Sequence, residues 1–149
     1  MEKNMFKNLI LTTGVVSALT LAGCATMTNP STDRNLTMLQ NKNWLVTEIN
    51  GVEYKVNPAQ TVNIASLMFN NSALSGSDGC NRIMGGYTVK GTQIALTQLA
   101  KTQMACLNAT DTPEKFTQAL EQVTNYKVSE KTLKLLNNDG KVLVELKSK

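Results

Sequence analysis

The chain has 149 residues, with 15 Lys and Arg against 11 Asp and Glu, and it contains no histidine. Its surplus of four positive charges is scattered rather than blocked, which does not suit a nucleic-acid partner. Without histidine there is no imidazole for Ser-His-Asp or Cys-His chemistry, and the commonest metal ligand is missing.

In chain order, Lys3 and Lys7 precede Leu9 to Leu21, a run of 13 uncharged and mostly apolar residues. That is short of the ~20 residues a membrane-spanning helix needs. It ends in Leu21-Ala22-Gly23-Cys24, which is similar to the lipobox of exported bacterial lipoproteins. The expectation is a signal peptide over residues 1–23, a lipid-bearing Cys24, and attachment to the membrane through that anchor. Ala25, rather than an acidic residue, follows the cysteine, so the expected location is the cell outer membrane, facing the periplasm. Cleavage leaves 126 of the 149 residues, enough for one domain. Residues 25–35 are polar and lack an apolar period, so 24–37 reads as lipidated Cys plus flexible tether, and 38–147 as the domain.

From Trp44 the pattern is of short strands. Trp44 to Ile49 and Val52 to Tyr54 flank Asn50-Gly51, a strong signal for a type I′ hairpin because both central residues need positive φ. Thr61 to Phe69 reads as strand, with Val62, Ile64, Leu67 and Phe69 inward. Tyr87 to Val89 and Gln93 to Thr97 flank a tight turn at Lys90-Gly91. Thr132 to Leu136 and Lys141 to Leu146 flank Asn137-Asn138-Asp139-Gly140, a third hairpin. One helix is expected: Phe116, Ala119, Leu120 and Val123 recur at i, i+3, i+4 and i+7, opposite Lys115, Gln118, Glu121 and Gln122. Asp111 or Thr112 would cap it, with Pro113 in its first turn. The pattern is that of an α+β domain in which this helix lies across a sheet.

With Cys24 carrying lipid, Cys80 and Cys106 remain as an even pair in an oxidising compartment, and a disulfide between them is the expectation. Two buried thiols are the alternative. No further Cys and no His would complete a tetrahedral metal site, so neither metal nor cofactor is expected. Met68, Met84 and Met104 read as core filling.

Ser75-Gly76-Ser77-Asp78-Gly79-Cys80-Asn81-Arg82 is the densest polar and glycine cluster, followed by Gly85-Gly86-Tyr87. A second cluster spans Leu99 to Cys106. A ligand-binding loop there would draw on Asp78, Asn81, Arg82, Tyr87 and Thr102. The competing reading is structural, with a disulfide holding the loop and Asn81 bonding to nearby backbone. Gly-x-Ser-x-Gly, Ser-x-x-Lys and a Gly-Lys-Ser/Thr phosphate loop are all absent, and no carboxylate pair is spaced for acid–base work.

Trp44-Leu45, Asn50-Gly51, Gly76, Gly79-Cys80-Asn81-Arg82, Gly86-Tyr87, Thr102-x-x-x-Cys106, Phe116-x-x-Ala119-Leu120 and Leu133-x-Leu135 together resemble the META domain of bacterial heat-shock lipoproteins. The resemblance implies a curled antiparallel β-sheet, partly barrel-like, with one packed α-helix. It also implies a role in envelope stress tolerance with no established reaction. The expected function is therefore non-enzymatic, through binding of an envelope protein partner. A carrier or sensor of lipid or apolar ligands in a cracked-barrel cavity beside Phe116, Leu120 and Val123 is the alternative. A hydrolase built on Asp78 is a third.

Overall fold

The computed structural model describes residues 30–56, 64–106 and 110–149. The expected signal peptide, Cys24, the first part of the tether and Val62 lie outside the described residues.

The chain from Pro30 is helical. Helix α1 spans Pro30–Leu39. Proline suits a first helical turn because its missing N–H would have no partner there, and Asp33 in that turn complements the helix dipole. The sequence pattern reads as polar because few apolar side chains carry the contact. Leu39 is fully buried, Leu36 packs against the core, and the Trp44 indole N–H donates to the Leu39 carbonyl at 2.8 Å. Tertiary packing thus outweighs a weak local pattern.

Among the described residues nine antiparallel strands follow: β1 Asn43–Ile49, β2 Val52–Glu53, β3 Ser66–Asn70, β4 Ala73–Ser77, β5 Arg82–Lys90, β6 Gln93–Lys101, β7 Asn125–Val128, β8 Thr132–Leu136 and β9 Val142–Lys147. Helix α2, Thr112–Glu121, separates β6 from β7. The spatial order is β2-β1-β3-β4-β5-β6-β7-β8-β9, and pairing of β9 with β1 closes the ring. The ring is weakest where β6 and β7 meet, at the single pair Gln93 and Asn125. The structure is the expected curled, partly barrel-like α+β domain, with two helices among the described residues instead of one.

The Asn50-Gly51 hairpin forms as expected, with φ of 51° and 79° and Ile49 paired to Val52. The next turn differs by one residue: Lys90 pairs with Gln93, so Gly91-Thr92 occupy it. Strands β4 and β7 are absent from the sequence reading. The β3–β4 turn uses Asn71 at φ 51° and Ser72 instead of an Asn-Gly signal. Glycine explains β4, where close approach and not a turn is the requirement. A Cβ on Gly76 would sit 2.1 Å from the Ser66 carbonyl oxygen.

Inward residues alternate along the strands and fill the ring. Trp44, Phe69, Tyr126, Leu67, Leu133, Leu135 and Leu146 are at most 1% exposed. The α2 face expected from the sequence is buried as Phe116, Ala119 and Leu120, with Val123 just beyond the helix end also buried. Phe116 and Leu120 leave 0% and 1% of their surface open to a water-sized sphere, so no cavity wide enough for an acyl chain abuts them. Asp111 holds the N-cap position but does not cap with its side chain, pairing instead with Lys115 at 2.6 Å. Among the described residues no helix is long and apolar enough to cross a membrane.

Candidate functional site

The turn between β4 and β5 is built around one carboxylate. Asp78 is fully buried, and its Oδ1 accepts the backbone N–H groups of Cys80, at 2.8 Å, and of Asn81. Its Oδ2 accepts from the Asn81 side-chain amide at 3.2 Å, and its own N–H donates to the Asn81 carbonyl at 3.0 Å. A buried carboxylate must have its lone pairs met, and here the loop meets them from within. Asn81 in turn accepts the Met104 backbone N–H on its Oδ1 at 2.8 Å.

Two more links join this turn to the segment after β6. Cys80 and Cys106 form a disulfide with Cα atoms 5.9 Å apart. The Arg82 N–H donates to Thr102 Oγ1 at 3.0 Å, and the Thr102 N–H donates to the Arg82 carbonyl at 3.1 Å. Asp78, Asn81, Arg82 and Thr102 are therefore brought together as the sequence suggested. Tyr87 is not with them. It is 3% exposed, stacks edge-on against Phe69 with ring centroids 5.0 Å apart, and its hydroxyl takes a hydrogen bond from the Gln40 amide. The reason is register: Tyr87 falls on the inward phase of β5, as Ile83 does, while Arg82 and Met84 fall on the outward phase.

Beside the clamped turn lies a small cavity of about 260 Å³, reached by Tyr54, Asn81, Lys101, Met104 and Glu114. Lys101 and Glu114 pair across it at 3.1 Å. The Lys101 hydrogen bond, then its charge, then a bond from Gln118, hold the Glu114 carboxyl below its ordinary pKa. Among the described residues, no three His, Cys, Asp or Glu side chains gather as a metal site. Met84 and Met104 correct the reading of methionine as core filling, being 54% and 55% exposed. Their exposure follows from the outward phase of β5 and from the loop after β6, neither of which a composition argument can see.

This arrangement defines a class: a curled, partly barrel-like antiparallel sheet with packed helices, carrying a disulfide-clamped polar turn. The META domain profile matches residues 37–149, and the chain belongs to the META domain family. Solved structures share the fold. A protein from Burkholderia xenovorans determined by NMR is 22% identical, with a TM-score of 0.58 over 78% of this chain and 87% of that one. A second NMR structure is 21% identical, with a TM-score of 0.57 over 76% of this chain and 92% of the other. A crystal structure of a DUF4847 family protein from Bacteroides vulgatus is 13% identical, with a TM-score of 0.54 over 74% and 94%. No curated protein sequence matches the chain.

Proposed function

We propose that this is a non-enzymatic, outer-membrane-anchored lipoprotein domain that supports envelope stress tolerance by binding another envelope protein through the rim around Arg82. The observation that carries this reading is how the clamped turn divides its groups. Asp78, Asn81 and Thr102 are spent on internal hydrogen bonds, whereas Arg82, Met84 and Met104 project outward from a rigid base. The Arg82 side chain makes no ion pair among the described residues. Arginine and methionine are enriched in protein interfaces, and a pre-ordered base lowers the entropic cost of docking. Asp78 has no proton-transfer role in this reading, because its oxygens are buried and already accept from the loop. The filled interior beside Phe116 and Leu120 supports partner binding over the lipid-carrier alternative.

The test is photo-crosslinking in cells with the reactive side chain placed at Arg82 or Met104, and at Lys141 as a control position. The reading expects one recurrent envelope protein from the first two positions and not from the third. The same background from all three would contradict it.

A further inference from the structure

A second surface is a cationic cleft whose Ser66 lies two strands from Arg82, through Ser77. Lys42, Leu45, Ser66, Glu130, Lys131 and Ser148 line a surface cleft of about 910 Å³ on the outer side of β1 and β3. Lys149 also borders it, and Lys147 stands cross-strand from Leu45 on one side and Thr132 on the other. Lys42 is held in place, its ammonium donating to the Glu130 carbonyl oxygen at 2.8 Å. The cationic balance here is not typical of the rest of the surface. From Pro30 onward the chain carries 13 Lys and Arg against 10 Asp and Glu, a surplus of three. Lys42, Lys131, Lys147 and Lys149 set against Glu130 supply a surplus of that same size at one place. The remaining nine cationic and nine acidic residues from Pro30 onward balance, some as direct pairs: Lys134 meets Glu145 at 3.0 Å, Lys115 meets Asp111, and Lys101 meets Glu114.

We infer that this lysine cleft docks on the phosphate-bearing headgroups of an anionic lipid bilayer, and so sets how the domain sits on the membrane. Three observations select that occupant. Charge complementarity is the first: clustered lysines with Asn43, Ser66 and Ser148 as neighbouring polar groups suit phosphate oxygens. Chain length is the second. The five residues between Cys24 and Pro30 reach at most ~20 Å, and the ten residues of α1 add about 15 Å before the cleft begins at Asn41. A lipid on Cys24 therefore holds the cleft within reach of the bilayer. Position is the third. The cleft gathers at the start of β1, directly after α1, and so at the point of the domain to which the chain from Cys24 leads. The inference rests on the lipoprotein reading for its purpose but not for its test.

The test uses residues 25–149 without the lipid cysteine, which keeps every described residue of the core. Flotation is measured with vesicles of phosphatidylethanolamine and phosphatidylglycerol at 3:1, and with pure phosphatidylcholine vesicles. The expected result is binding to the anionic vesicles only, weakened by salt. Lys131→Glu with Lys147→Glu should lower partitioning at least about tenfold, since each lysine near such a surface contributes about fivefold. Lys141→Glu, in the β8–β9 turn, should leave it unchanged, and unchanged melting temperatures verify that all variants fold. Failure to float with anionic vesicles, or equal loss in Lys141→Glu, would overturn the inference. Chemical-shift changes at Lys131 with inorganic phosphate but no vesicle binding would also overturn it, assigning the cleft to a soluble anion. The intact mass of the chain extracted from cells reports Cys24 acylation separately, so failure of that reading is distinguishable.

Discussion

At the residue scale, Asp78 organises the turn that everything else at the rim depends on. Replacing it with Asn keeps one acceptor but sets an amide against the Asn81 amide that now donates to Oδ2. Asp78→Asn should cost about 1–3 kcal/mol in urea unfolding, the range for a buried group left without its partner. A change within about 0.5 kcal/mol, as at ordinary surface sites, would mean the carboxylate is not the organiser. Tyr126 makes the opposite case. Its buried hydroxyl has no hydrogen-bond partner among the described residues, and burial, with Tyr87 nearby, raises its pKa above the ordinary 10.0. In the unfolded chain the phenol ionises at its ordinary value; in the fold it does so later. Its contribution is thus complete below about pH 10 and is lost as pH climbs through the raised value. Tyr126→Phe should therefore be neutral or stabilising by up to about 1 kcal/mol near pH 8 and should show a shallower loss at alkaline pH. An unchanged alkaline slope in the denaturant midpoint would contradict this.

At the element scale, periodicity carried most of the legible structure. The α2 face, the Asn50-Gly51 hairpin and the β8–β9 hairpin each pair a clear period with a clear stop signal. What stayed hidden had no such signature. Helix α1 is mostly polar and is held by Leu36 and Leu39, and β4 is a run of Ala, Leu, Ser and Gly with one inward leucine. The glycine-rich stretch from Gly76 suggests a loop, yet Gly76 is a strand residue placed where β3 comes too close for a side chain. Gly76→Ala should therefore destabilise by about 1–3 kcal/mol, as overpacking does. The closest atom the added methyl meets is backbone, the Ser66 carbonyl oxygen, with the Leu67 side chain next at 3.0 Å. A thermal midpoint equal to that of the unaltered chain would show that β3 and β4 can separate without cost.

The candidate site was legible in part for the same reason. Cysteine count and glycine density marked the turn, and its partner segment could be inferred from Cys106. Tyr87 was misassigned because adjacency in sequence says nothing about strand phase: five residues from Arg82, it falls on the other face. The lysine cleft is invisible in sequence order, since Lys42, Lys131 and Lys147 meet only when β9 closes onto β1.

At the scale of the whole molecule, the domain is a filled barrel with two distinct surfaces. A disulfide spanning 26 positions locks the rim, and the chain-entropy account gives it about 3.5 kcal/mol. Cys80→Ser with Cys106→Ser should lose stability of that order, and reduction of the native protein should lower its melting temperature to match. Coincident melting with and without reductant would mean the link adds nothing. Both proposed roles, partner recognition at Arg82 and bilayer docking at the lysine cleft, use the outside of the sheet. The central claim is partner recognition, and its most direct measurement is the yield of the partner crosslink formed from Met104 when Arg82 is changed to Glu. The account predicts that Arg82→Glu leaves the melting temperature unchanged and abolishes the crosslink. A crosslink of undiminished yield on the folded variant would contradict it.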